Sequence, residues 1–238
     1  MPRKPRCYLP NVPCHVITRG NDRQACFFDT RDYQFYLEVL SDACERYKVA
    51  LHAYVLMTNH VHLLMTPSSE DGVSRVMQSV GRRYVQRINI KHRRTGTLWE
   101  GRHKASLVED DAYLLACYRY IELNPVRASM VKHPIEYPWT SYFENSGENS
   151  GAHELNIITP HSIYQRLGLT IKSQQVAYKA LFKQQLQPSV INDIRTAATF
   201  SMPIGRGAFQ CQIEKMVGRK LGYAKRGRPR YKQGSKQE

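Results

Sequence analysis

The sequence predicts an α+β fold: a ferredoxin-like (split βαβ) antiparallel sheet with helices on one face, then a small helical C-terminal region and a basic tail. Two observations predict it. Apolar spacing alternates between period two and period 3.6 in the order strand, helix, strand, strand, helix, strand, helix. After residue 160 only helical spacing recurs, and from Arg219 on the chain is basic and rich in Gly and Pro.

Each element has its own signal. Residues 13 to 23, PCHVITRGNDR, read as a short strand ending in a Gly-Asn turn. Residues 30 to 48 carry Tyr33, Tyr36, Leu37, Leu40, Cys44 and Tyr47 at helical spacing, with Asp29 or Thr30 as the cap. Residues 50 to 57 and 60 to 66 are two β-branched and aromatic runs joined by a tight turn at Thr58-Asn59. Val73, Val76, Met77, Val80, Tyr84, Val85 and Ile88 give a buried helix face over 72–91. HKASLVE, residues 103 to 109, is a fourth strand, and 110–123 a helix opened by Asp110 or Asp111. The polar, Gly-rich ENSGENSGAH (144–153) reads as a linker, with two or three helices over about 160–222. The division expected is 1–145, a catalytic-type α+β domain; 146–222, a helical accessory region; and 223–238, a basic tail.

At 238 residues and 42% hydrophobic the chain has ample material for a core. No apolar run approaches the about 18 to 20 residues of a membrane span, and MPRKPRCYLPN lacks a signal-peptide core, so a soluble cytoplasmic protein without a membrane partner is expected. The six cysteines form no CxxC pair, which disfavours a zinc ribbon or redox motif. Lys and Arg number 35 against 20 acids, a formal charge of +15, which favours a polyanionic partner, nucleic acid first.

Chemistry concentrates in two places. His60-Val61-His62 sits in a strand-like run, where residues i and i+2 face the same way, so two imidazoles project side by side. Such a pair suits a divalent cation, although half-buried structural pairs show the same spacing. In LLACYRYIELNPVRA, Tyr120 and Asn124 are one helical turn apart, with Pro125 placing Asn124 at a helix end. A phenol there can serve as a nucleophile or as core, and the asparagine as a ligand or as a helix stop.

Taken together, MTNHVHLLM resembles the HUH motif of the single-tyrosine transposases of bacterial insertion sequences, and YIELNPVRA is similar to the tyrosine-helix signature of their REP-associated relatives. The resemblance covers about residues 8 to 145. It implies that His60 and His62 bind Mg²⁺ or Mn²⁺, that Tyr120 is the nucleophile, and that Asn124 stands where insertion-sequence members carry a glutamine assisting the metal. It further implies cleavage and rejoining of single-stranded or hairpin, REP-like DNA through a 5′-phosphotyrosine. A hairpin DNA-binding protein or repressor that does not cut is the alternative. Insertion-sequence relatives are dimers that swap tyrosine helices; the long C-terminal part here favours a monomer over a homodimer.

Contacts to DNA are expected from three clusters besides the site. Arg19, Asn21 and Arg23 follow the first strand; Arg83, Arg87 and Lys91 are spaced by four on the basic helix; and Arg102 lies in WEGRHKAS, where Trp99 either stacks on a base or fills core. Arg226, Arg228 and Arg230 in KRGRPRYK resemble an AT-hook suited to the minor groove of AT-rich DNA.

Overall fold

The computed structural model describes residues 8–148 and 156–221. Strands β1 (Cys14–Arg19), β2 (Val49–Met57), β3 (His60–Pro67) and β4 (Lys104–Leu107) form one sheet in the order β2-β3-β1-β4. Every pairing is antiparallel. Helix α1 (Thr30–Arg46) leads from β1 to β2 and α2 (Gly72–Lys91) from β3 to β4, the split βαβ arrangement predicted. Of the two candidate caps for α1, Asp29 does the work, accepting from the Asp32 amide.

Helices on one face describes α1 and α2 only. Thr18 borders a cavity with Met77 and Val80 of α2, whereas its neighbours Ile17 and Arg19 border one with Tyr120 of α3 (Asp110–Glu122). Side chains alternate along a strand, so α3 crosses the opposite face. The signal is in β2, buried from Leu51 through Met57: a strand without polar alternation is covered on both sides. The cap of α3 is Glu109 rather than Asp110 or Asp111, and its side chain does not bond the helix. That carboxylate accepts instead from the Arg206 amide at 2.7 Å.

Beyond α3 come α4 (Asn124–Arg127), α5 (Tyr142–Ser146), α6 (Ser162–Gln165), α7 (Ile171–Leu181), α8 (Pro188–Phe200) and α9 (Gly207–Val217). The region past residue 160 thus holds four helical segments, not two or three. Tyr164, Tyr178, Ile194, Ile204 and Ile213 belong to the same apolar cluster as the sheet, so this region shares the core of the first 145 residues. Backbone bonds join segments after α4 to the sheet. On the β2 side the Leu56 amide donates to Trp139 and the Ser141 amide to Tyr54; on the β4 side the Ile204 amide donates to Leu107 and the Glu109 amide to Ile204. Among the described residues no helix is long and apolar enough to cross a membrane.

Glu122 ties the layers together. Its fully buried carboxylate accepts from Ser141 Oγ at 2.6 Å, Asn145 Nδ2 at 2.8 Å and Tyr178 Oη at 2.6 Å. Burial outweighs those three donors and pushes the carboxyl up to about 7. The folded protein therefore holds this proton more tightly than the unfolded chain. The stability it brings is complete below the ordinary carboxylate range and is lost as pH rises through about 7. Glu144, also pushed up to about 7 by burial, acts in the same direction. Between pH 5 and pH 8 Glu122 by itself is expected to lower stability by roughly 3 kcal/mol, against the opposite trend of the buried His15, His52, His60 and His62, whose burial disfavours protonation and so makes stability rise over the same range. Glu122→Gln, which keeps an acceptor but cannot ionise, is expected to lose that share, so in thermal melts the stability difference between wild type and variant should shift by roughly 3 kcal/mol from pH 5 to pH 8; a difference that does not change with pH would remove Glu122 as its source.

Candidate active site

Strand register builds the site. β1 and β3 pair with Ile17 opposite His62 and His15 opposite Leu64, so His15, His60 and His62 project from one face of the sheet. The rings of His60 and His62 lie 5.1 Å apart. The ring of Tyr120 descends from α3 to 6.0 Å from His62 and 5.8 Å from His15. Tyr120 is 6% exposed, but its exposed part opens into a cleft of about 730 Å³ that His60, His62 and Asn124 also line. The four residues singled out by the two motifs thus meet in one place.

Each imidazole is oriented from behind. Asn59 donates through Nδ2 to the Arg23 carbonyl at 3.0 Å, which fixes its amide orientation and turns Oδ1 toward His60 Nδ1 at 2.6 Å. Oδ1 can only accept, so His60 carries its proton on Nδ1 and Nε2 is left as a lone pair. His62 Nδ1 is 2.8 Å from His15 Nε2 inside the core. When His62 donates across that contact, its Nε2 too becomes an acceptor. Burial, with Arg127 acting on His15 and Arg19 on His60, lowers His15 to about 3 and His60 to about 4. His62 is pushed well below the ordinary imidazole range by burial, with the other two histidines, Arg127 and Arg19 adding to it. All three rings are neutral near pH 7, as nitrogen ligands must be.

Asn124 opens α4 just after the break that ends α3. Its Nδ2 donates to the Tyr120 carbonyl at 3.2 Å, which commits the amide nitrogen and leaves Oδ1 as the available end. Among the described residues no group of three or more His, Cys, Asp and Glu side chains makes a metal cluster. Two Nε2 lone pairs and one carboxamide oxygen nevertheless fit a divalent cation with open positions. Second-layer partners of metal-binding imidazoles typically matter 10–100-fold in affinity. His15→Ala is accordingly expected to weaken Mn²⁺ binding by roughly tenfold or more, measured by titration calorimetry without DNA, while Asn59→Ala acts likewise through His60.

Several contributors are not among the residues the motifs singled out. Arg127 stacks its guanidinium 4.1 Å from the Tyr120 ring centroid and donates from Nη2 to the Tyr120 carbonyl at 2.5 Å. Burial lowers it to about 10, so it stays charged near neutrality. Its place within YIELNPVRA, three residues after Asn124, was a readable sign. His15 had no such sign: only the β1–β3 register brings it to His62. Gly20 is required by close approach, because a Cβ there would lie 2.2 Å from the Gln24 carbonyl oxygen in the turn after Arg19.

The expected DNA contacts separate by place. Arg19 and Arg102 line the cleft, together with Lys104, His103 and a single acid, Glu100. Asn21 and Arg23 form the turn beyond β1, and Arg23 serves the site through its carbonyl. The stripe on α2 lies behind the sheet and its groups are engaged: Arg83 pairs with Asp42 at 2.9 Å, Lys91 with Asp29 and Asp32 at 2.6 Å, and Arg87 stacks 4.2 Å over Phe35. Trp99 packs against the core beside Tyr84. Arg226, Arg228 and Arg230 fall outside the described residues.

Comparison with known proteins agrees with this picture. No curated protein matches the chain. Among solved structures, a REP-associated tyrosine transposase bound to a REP hairpin superposes with a TM-score of 0.55 at 16% identity, over 68% of this chain and 96% of that one. At that identity the likeness establishes the fold. A Deinococcus radiodurans protein assigned as a transposase is 21% identical over 54% of this chain and 92% of its own, but with a TM-score of 0.36 it adds nothing to the argument. The family profile described as "Transposase IS200 like" matches residues 9–124, the stretch that supplies every strand, both histidines, the tyrosine and the asparagine. Residues 9–124 are thus similar to the IS200-like transposases, the likeness the two motifs implied.

Proposed function

We propose that the protein is a divalent-metal-dependent, single-tyrosine DNA transposase of the HUH type, which cuts and rejoins single-stranded or hairpin DNA, REP-like palindromes in particular. The observation that carries this reading is the convergence of Tyr120 with His60, His62 and Asn124 in one cation-rich cleft. The hairpin bound by the structurally similar transposase makes hairpin DNA the first substrate to try.

His60, His62 and Asn124 would hold Mg²⁺ or Mn²⁺. Bound there, the ion supplies charge neutralisation and Lewis-acid polarisation at the scissile phosphate. The residues of the chain do the rest. Arg127 and the α3 backbone hold the Tyr120 ring at the cleft, so the phenol oxygen is positioned for in-line attack on phosphorus. A bond forms between that oxygen and phosphorus, and the bond from phosphorus to O3′ breaks. The phenol gives up one proton and the departing O3′ takes up one, so the step is proton-neutral overall. The DNA 3′ to the cut is then joined to Tyr120 through its 5′-phosphate. A 3′-hydroxyl attacking the same phosphorus reverses the step and rejoins a strand without an external energy source. Arg19 and Arg102 would take phosphates nearest the cut. The sequence division stands as the working assignment: 1–145 for cleavage, 146–222 for accessory contacts and 223–238 for a basic tail.

The test is incubation with single-stranded hairpin DNA labelled 3′ of the cut, in Mg²⁺, Mn²⁺ or EDTA, read on denaturing gels. A metal-dependent, protein-linked product is expected. Hairpin binding with no such product in any metal would favour a binding protein or repressor instead.

A further inference from the structure

The cleft is not closed by residues 9–124 alone. Its other wall is the end of α8, where Arg195, Thr199 and Phe200 face the same space as Tyr120 and His62. Three anchors fix that wall. Ile194, Ala197 and Ala198 are buried on one side of α8; Tyr113 Oη of α3 donates to Asp193 at 3.4 Å; and just past the helix Ile204 bonds the end of β4. The helix end that carries Arg195, Ala198, Thr199 and Phe200 is therefore presented to the cleft at a set distance. Arg195 is exposed and makes no ion pair among the described residues. The charged group it acts on is Arg127, another cation, and the two disfavour each other. Like charges held together in a cleft with little acid to balance them call for an anion. Phe200 adds an aromatic ring, 42% exposed, on the same wall. A guanidinium and an exposed aromatic ring one and a half turns apart are the two groups that hold a single strand: one for phosphate, one for a base face. A volume of about 730 Å³ has room for more than the scissile phosphate.

We infer that the end of α8 is a nucleotide subsite of the cleft, in which Arg195 binds a DNA phosphate flanking the scissile one and Phe200 stacks on the adjoining unpaired base. The subsite rests on the proposed single-strand cleavage, and it makes the C-terminal region part of the substrate channel. It selects unpaired DNA, because a base inside a duplex does not offer its face to a side chain.

Binding is measured by fluorescence anisotropy with the full chain carrying Tyr120→Phe, so that no covalent product forms, on a short labelled DNA single strand over a series of KCl concentrations. Arg195→Ala is expected to weaken binding several-fold and to reduce the slope of log affinity against log salt by about 0.7, one phosphate on a single strand. Arg195→Lys should keep the slope. Phe200→Ala is expected to weaken binding about tenfold with the slope unchanged. Neither substitution should alter binding to a blunt duplex of the same sequence. Arg195→Ala and Phe200→Ala proteins that melt normally and bind the single strand as the parent does would overturn the inference, as would tighter binding of the matching RNA strand. Failure of wild-type protein to form an adduct, with both binding effects present, would instead overturn the cleavage reading and leave the subsite in place.

Discussion

Tyr120→Phe is expected to abolish the covalent DNA adduct, with a loss of at least roughly 10⁴-fold that falls below detection on a denaturing gel. The reason is chemical. The ring fits the same space, Arg127 still stacks on it, and the α3 carbonyl still accepts from Arg127 and Asn124. Only the oxygen proposed to form the bond to phosphorus is gone. Hairpin affinity should stay within about twofold of wild type, since one partly hidden hydroxyl among many contacts contributes little to binding. Adduct formation by the phenylalanine protein would move the nucleophile elsewhere. Tyr118 is the alternative nearest in sequence, but it is fully buried against His52, Tyr164 and Tyr178 and does not line the cleft.

Loss of His62 should rank second. His62→Ala removes one proposed nitrogen ligand and strands His15 Nε2 inside the core without its partner. Lewis-acid assistance is worth several kcal/mol, so single-turnover adduct formation is expected to fall roughly 10³-fold, with Mn²⁺ affinity falling alongside. His60→Ala should cost less, because His60 is the more exposed ring and its partner Asn59 lies at the turn. Rates from the two variants at saturating Mn²⁺ decide the order. A His62→Ala protein that cleaves at the wild-type rate would detach the metal from this imidazole.

Local order was legible in the sequence to a large degree. The period-3.6 spacing of Val73 to Ile88 placed α2 at its observed bounds, and β-branched and aromatic composition placed β2 and β3 with their turn at Thr58-Asn59. The joint reading of His-x-His and Tyr-x-x-x-Asn brought together the residues that share the cleft. What stayed hidden depends on contacts between distant segments. The α2 stripe looked like a phosphate track because Arg83, Arg87 and Lys91 repeat every turn, yet Asp42, Asp29, Asp32 and Phe35 of α1 meet them across the helix pair. Nothing within α2 encodes that. His15 reads as an ordinary strand residue until β1 lies beside β3. Arg195 sits in a helix whose sequence has no nucleic-acid signature, and it reaches the cleft because Ile194, Ala197 and Ala198 pack α8 onto the core and Ile204 fastens the following segment to β4.

The backbone bonds that Trp139, Ser141 and Ile204 make with the outer strands have a consequence for assembly. A terminal strand with unpaired amides and carbonyls is a template for another chain, through which sheets merge, exchange segments or seed aggregates. Here the chain's own later residues occupy much of that template on both flanks. A second copy seeking to extend the sheet along those stretches would first have to peel them away.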